Sequence, residues 1–434
     1  MFMRTGIASL LGGMVLLTIA CNPNPRPAQS STSFSSGASR TASSAKILLG
    51  SETLARRNFD LLAGKRVGLL TNPSGVNGRG ETIIDVLRQA PNVNLVALFA
   101  PEHGVYGEIL AGKEFKNHTD PRTGLPVFSL YGPGPVRTPT PAMLASIDVL
   151  VYDLQDTGCR SYTFIATMGK AMDACGLGGK QFVVLDRPNP LGGLRVEGNL
   201  LTPEFEDLNS LVSHWNVPYV YGMTSGELAL MINGMGWNKY QCHVTVMPMA
   251  GWKRGMVWDD TGLNWVPTSP NIRTGEAPLY YVSTGILGEI GGVDIGIRRG
   301  RPFQIVAAPW LSGPSFSARM NAYKLPGVQF VPYRGTSDQY VLQGVEIKFT
   351  DPSRAPLTPI NFYVLDAIKK ETGRDLFADA VKRNSNFKMF DKVNGTTATR
   401  KELQAGVSPT QIVKSWAPDE AKFRRERAKY LIYQ

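Results

Sequence analysis

The stretch NLVALFAPEHG, residues 94–104, decides the fold. Residues 95–100 are apolar without alternation, which predicts a strand covered on both faces. Pro101 cannot donate to a ladder and ends the strand. Glu102 and His103, one of only four histidines, follow at once. The same plan of apolar run and polar tip recurs at 65–72 (KRVGLLTN), 125–132 (LPVFSLYG), 148–156 (DVLVYDLQD) and 181–190 (QFVVLDRPNP). Between these runs, residues 81–89, 141–147 and 162–175 read as helices by their apolar spacing. The repetition predicts an α/β, Rossmann-like lobe with a mostly parallel sheet. Ligands of such sheets bind beyond the carboxyl ends of the strands. Those ends here hold Asn72, Glu102, Asp153, Asp156 and Asp186.

Past about residue 205 the pattern changes. Residues 224–235 form a helix with a capping box of Thr224 and Glu227. HVTVMPM reads as a strand and VPTSPNIRTGEAP as a long polar loop, and FQIVAAP and LQGVEIKFT read as later strands. We expect a Rossmann-like lobe over 46–205, a smaller C-terminal α+β lobe over 206–434, and an active-site cleft between them.

Residues 1–20 read as a signal peptide: Arg4, then an apolar segment ending in Ala20. LTIAC fits a loose lipobox, with lipidation expected at Cys21 and simple secretion as the alternative. Asn22 after the cysteine favours the outer membrane. Residues 21–45 are rich in Ser, Ala and Pro and lack acidic groups, as a tether does. Both routes lead out of the cytoplasm, and the lipid would give a membrane partner. Three cysteines remain, Cys159, Cys175 and Cys242; free thiols are expected over a Cys159–Cys175 pair.

The net charge is +11; without Arg4, Arg26, Arg40 and Lys46 of the first fifty residues it is +7. That suits an anionic wall polymer, and no basic stripe with interleaved aromatics marks a nucleic-acid partner. The first strand ends in NPSGVNGRG without a dinucleotide fingerprint. No Walker loop, HExxH or GxSxG is present, and four scattered histidines do not form a zinc set. No cofactor and no metal are expected. What remains is carboxylate chemistry. A carboxyl in an apolar cleft keeps its proton and assists a leaving oxygen, as glycoside cleavage requires. Glu102 is the candidate, with a turn cap as the plain alternative; His103 orients it, contacts a hydroxyl, or packs against a carbonyl.

FAPEHGVYGE, TGLPVFSLYG, IDVLVYDLQDTGCRSYTFIATM, VVLDRPNPLGG, VEGN and YGMTSGELALMING occur in that order. Together they closely resemble the bacterial exo-β-N-acetylmuramidases, glycosidases formerly catalogued as a domain of unknown function, from about residue 47 to the end. The resemblance implies release of terminal N-acetylmuramic acid from the non-reducing end of peptidoglycan fragments. It implies a catalytic Glu at Glu102. The family's D-x-Q-D-x-G-x-R-x-Y-T motif falls on Asp153, Gln155, Asp156, Gly158, Arg160, Tyr162 and Thr163, and its D-R-P-N-P motif on Asp186 to Pro190. The pattern departs later: GEIGGVDIGIRRGRPF keeps Glu289, but Ile295 and Ile297 stand where the family has Glu and Arg, and Tyr221 where His is common.

Two routes stay open: Asp156 or Asp153 as nucleophile or base, or attack by the substrate's own acetamido oxygen. Choosing muramic acid over N-acetylglucosamine needs a cation for the lactyl carboxylate. Arg160, Arg187 and Arg273 are candidates, each with a structural ion pair as the alternative. Asn72, Tyr162, Asn189 and Asn271 are candidates for sugar hydroxyls, although Asn72 and Asn189 stand beside prolines as turn residues do. Trp215, Trp252, Trp258 and Trp265 read mostly as core, with a stacking platform among them as the alternative. A lipoprotein that captures wall fragments without cleaving them is the rival from another class. Oligomeric state is not legible.

Overall fold

The computed structural model describes residues 47–434 apart from 111, 134–136, 208, 337–339 and 384–385. The expected signal peptide, Cys21 and tether lie outside the described residues. In chain order the elements are α1 (Gly50–Arg56), β1 (Arg66–Thr71), α2 (Ile83–Gln89), β2 (Asn94–Ala100), β3 (His118–Thr119), β4 (Pro126–Ser129), α3 (Pro141–Leu144), β5 (Val149–Asp153), α4 (Phe164–Leu177), β6 (Gln181–Leu185), α5 (Ser225–Gly234) and β7 (His243–Met247). There follow α6 (Ala277–Gly288), β8 (Ile305–Ala308), α7 (Gly313–Asn321), β9 (Val328–Thr336), β10 (Val341–Phe349), α8 (Leu357–Thr372) and short helices α9 (Leu376–Lys382), α10 (Lys388–Asn394), α11 (Ala398–Gln404), α12 (Pro409–Ser415) and α13 (Ala417–Arg427).

Seven strands make one sheet in the order β3-β4-β2-β1-β5-β6-β7, parallel except for the edge strand β3. The parallel six follow the doubly wound order, with the direction of winding reversing between β1 and β5. The continuous apolar runs have a direct cause. Successive side chains point to opposite faces, and both faces are buried. Leu69, Leu98, Ala100, Val149, Val151 and Val183 pack on the face covered by α1 and α2. Leu70, Ala97, Phe99, Leu150, Tyr152 and Phe182 pack on the other, under α4 and α5. Each such Leu or Val contributes about 2 kcal/mol by leaving water. Thr82 caps α2 through Asp85 N–H, and Thr224 and Glu227 form the expected capping box of α5.

The sheet does not stop at residue 205. Its last strand is β7, in register with β6 from Gln181↔His243 to Leu185↔Met247, so the expected division at 205/206 cuts across it. As an edge strand β7 is only half covered, with an exposed His243 and a buried Met247, and it lacks the apolar run of the inner strands. The later region is a small antiparallel sheet, β8-β10-β9, with helices α6, α7 and α8. Phe316, Phe330, Val345 and Ile360 there belong to the same buried cluster as Leu150 and Phe182. The chain end returns to the first sheet: Tyr433 hydroxyl donates to Asp186 Oδ2 at 2.6 Å, and Arg254 N–H to Gln434 O at 2.7 Å. Cys159, Cys175 and Cys242 are free thiols. Trp215, Trp252 and Trp258 are buried. Among the described residues no helix is long and apolar enough to cross a membrane.

Candidate active site

The strand ends on either side of the reversal point are tied together by their own polar groups. Thr71 hydroxyl donates to Asp153 O (2.9 Å), Ser74 hydroxyl to Asn72 Oδ1, and Gln155 N–H to Ser74 Oγ (3.0 Å). Asn72 also reaches the long polar loop, donating to Thr268 O at 3.3 Å. The Tyr162 hydroxyl donates to Thr268 Oγ1 at 2.8 Å. A pocket of about 430 Å³, including its open mouth, lies beside them, with Ser74, Gln155, Arg187 and Trp258 on its wall.

Glu102 follows β2 and is 9 % exposed. Its oxygens have different partners. Oε1 accepts the Gly112 N–H at 2.9 Å, and Oε2 accepts the Thr163 hydroxyl at 2.9 Å. The parallel register Ala100↔Ser129, continued two residues, sets Tyr131 opposite Glu102. Burial first, then the Glu102 carboxylate, push the Tyr131 phenol up. His103 is in the left-handed region, φ 75°, unusual for a residue with a side chain. Its Nδ1 stands 2.9 Å from Ile109 O, which can only accept, so Nδ1 carries the proton.

Asp156 is buried beyond β5. Its Oδ2 accepts the Gly158 N–H at 2.7 Å and the Tyr221 hydroxyl. Its Oδ1 accepts no hydrogen bond among the described residues. Burial pushes the carboxyl up to about 6, against the pull of Tyr221 and the Gly158 and Thr157 amides. Gly158 allows the turn: φ is +80°, and a Cβ there would stand 2.3 Å from Asn189 Oδ1. Tyr162 lies under the influence of both Asp156 and Glu102; burial first, then these charges, push its phenol up.

The other expected residues divide clearly. Asp153 is bound to Arg187 Nε in a buried ion pair, and Arg187 Nη2 also donates to Val76 O at 2.7 Å. Arg187 therefore holds the rim together. Arg160 does not reach the rim. It is fully buried and donates to Asn199 O, Val217 O, Val393 O and Asn394 O at 2.6–3.0 Å, tying the β5–α4 turn to α10. Asp186 accepts from Arg187 N, Gly226 N, Thr224 Oγ1 and Tyr433 hydroxyl, so both its oxygens are occupied within the fold. Asn189 uses both arms of its amide, on Met223 O and Leu191 N. Asn271 is half-buried in the polar loop, Arg273 is exposed and bonds Pro270 O, and Glu289 is exposed at the end of α6. Ile295 is buried and Ile297 is exposed, so the two departures occupy different environments.

Sequence reasoning passed over Gly112, Tyr131, Thr268 and Tyr221 as partners. Tyr131 was accessible through the register of β2 and β4. Tyr221 was visible as a departure, and its hydroxyl now stands on Asp156. Gly112 and Thr268 contribute through backbone or loop position, which leaves no mark in composition.

The strand order defines a Rossmann-like α/β protein with carboxylates at the carboxyl ends of its strands. Sequence models of the exo-β-N-acetylmuramidase NamZ family match residues 67–276 (N-terminal) and 279–433 (C-terminal). The peptidoglycan β-N-acetylmuramidase NamZ of Bacillus subtilis (strain 168) is 38 % identical over 401 residues, 91 % of this chain and 93 % of that protein. Two DUF1343-family crystal structures from Bacteroides fragilis NCTC 9343 are similar. One is 43 % identical with a TM-score of 0.82, the other 28 % with 0.67, and each match covers 90 % of this chain and 99 % of that chain. The chain belongs to the exo-β-N-acetylmuramidase family and is a glycoside hydrolase.

Proposed function

We propose that the protein releases terminal N-acetylmuramic acid from the non-reducing end of peptidoglycan fragments, with Glu102 as general acid and the sugar held between the sheet rim and the polar loop. The observation that carries this reading is the unlike pair of partners on the Glu102 carboxyl. An N–H only donates, so Oε1, facing Gly112, stays a lone-pair acceptor. A hydroxyl both donates and accepts. In this reading Oε2 is the atom that hands the proton to the leaving oxygen, because the Thr163 hydroxyl beside it can turn from donor to acceptor. The second carboxylate of this reading is Asp156 through Oδ1, either acting at the anomeric centre or orienting the substrate's acetamido group. Asp153 is assigned to holding Arg187.

Action on peptidoglycan is extracytoplasmic, and we assign the export signal and the lipid anchor at Cys21 to that end. Fatty-acid labelling that is lost in Cys21→Ala tests the anchor. The catalytic reading is tested with a muramic-acid-terminated disaccharide. Wild type releases N-acetylmuramic acid and Glu102→Gln does not. Undiminished turnover by Glu102→Gln removes Glu102 from the mechanism, and binding without turnover by wild type favours a capture protein.

A further inference from the structure

We propose that Arg137 recognises the lactyl carboxylate of the terminal sugar and so selects N-acetylmuramic acid over N-acetylglucosamine. This rests on the muramidase reading and names the cation that reading requires. The two sugars differ by one lactyl ether, whose carboxylate is the only added charge, so discrimination falls to a cation one sugar's width from the acid. The arginines singled out by sequence are not placed for it. Arg160 is enclosed by backbone carbonyls, Arg187 is bound to Asp153, and Arg273 lies exposed on Pro270 O.

Arg137 is placed for it. Its guanidinium carbon lies 3.8 Å from the centroid of the Tyr131 ring. Tyr131 and Glu102 each lie two residues past the last pair of β4 and β2, and the Tyr131 phenol responds to the Glu102 charge. The guanidinium is thus one aromatic ring away from the proposed acid. Stacking on a tyrosine face fixes the plane of the fork and leaves its edges for an anion. Among the described residues its donors go to Glu114 Oε1 at 2.9 Å and, weakly, to Gly132 O at 3.4 Å. A carboxylate already sits on one edge, which shows that the edge suits one. The Arg137 side chain is 18 % exposed and that of Glu114 is 42 %. A pair this open is weak, so an incoming carboxylate shares or replaces it. The alternative role is electrostatic: Arg137 offsets Glu102 and Glu114 and touches no substrate.

The experiment compares wild type, Arg137→Gln and Arg137→Lys on an aryl β-N-acetylmuraminide and the matching β-N-acetylglucosaminide. We expect Arg137→Gln to lower kcat/KM on the muraminide by about 10–100-fold, the range of a hydrogen bond to a charged group. The glucosaminide changes by much less, and Arg137→Lys recovers part of the selectivity. Equal losses on both substrates, or no loss on either, overturn the proposal. Calorimetry with free N-acetylmuramic acid and N-acetylglucosamine separates this proposal from the one it rests on. If wild type cleaves neither glycoside but binds the muramic sugar through Arg137, the muramidase reading fails and the cation assignment stands. If it neither cleaves nor binds, both fail. The Lys variant carries the test should the Gln variant not fold.

Discussion

Arg160→Met separates a buried fastener from a substrate ligand. The guanidinium donates to four carbonyls, from Asn199, Val217, Val393 and Asn394, and is shut off from solvent. Hydrogen bonds to a charged group contribute about 1.5–3 kcal/mol each, so four amount to about 6–12 kcal/mol. Methionine also removes the penalty of burying a charge, several kcal/mol, a penalty visible in the guanidinium's pKa, which burial pulls down to about 10. The carbonyls left behind lose a partner and gain no water. The balance is a destabilisation of about 3–5 kcal/mol. Urea unfolding followed by far-UV circular dichroism reads it as a lower midpoint. At a temperature where the variant is folded, KM for a muraminide should stay within about threefold, and Arg160→Lys, which keeps a charge with fewer donors, should fall between. An unchanged midpoint with a strongly raised KM would refute the reasoning and return Arg160 to the substrate.

Three further outcomes follow from the rim. The Asp156 carboxyl titrates at about 6 in the fold against an ordinary 3.8. The folded state therefore holds the extra proton between those values, and the stability this carries is complete below about pH 4 and lost as pH rises through 6. Asn does not titrate, so the stability of Asp156→Asn relative to wild type should rise by about 2 kcal/mol between pH 4 and 7, read by urea melts at both; a constant difference would contradict it. Arg187→Met strands the buried Asp153 carboxylate and should cost about 3–5 kcal/mol, with Asp153→Asn in the same chain recovering part of it in thermal melts. Tyr433→Phe removes the hydroxyl that joins Asp186 Oδ2 to Met249 N, and should cost about 1–2 kcal/mol, read as a lower melting temperature; an unchanged one would contradict it.

The inner strands were legible because burial on two faces writes itself as an uninterrupted apolar run, as in residues 95–100 and 149–152. The edge strand β7 was legible as a strand but not as a member of that sheet, since one half-covered strand looks like any other. Glu102 and Asp156 were legible as strand-end residues, and Tyr162 as the start of a helix. The role of Arg160 was not: a charged residue at a strand end points inward or outward according to the turn, and the Gly158 turn sends it inward to carbonyls 233 and 234 residues away in sequence. Arg137 was missed for the opposite reason. It lies in no apolar run or motif, and its neighbour Tyr131 meets Glu102 only once β4 pairs with β2.

The central claim is that Glu102 delivers a proton to the departing oxygen, and the leaving group tests it most directly. A nitrophenolate departs with little help, whereas a sugar alkoxide needs the proton. Glu102→Gln should therefore lose at least about a hundredfold more activity on a muramic-acid-terminated disaccharide than on a dinitrophenyl muraminide. Equal losses on the two substrates would contradict the account, because a residue that only positions the sugar does not sense what leaves.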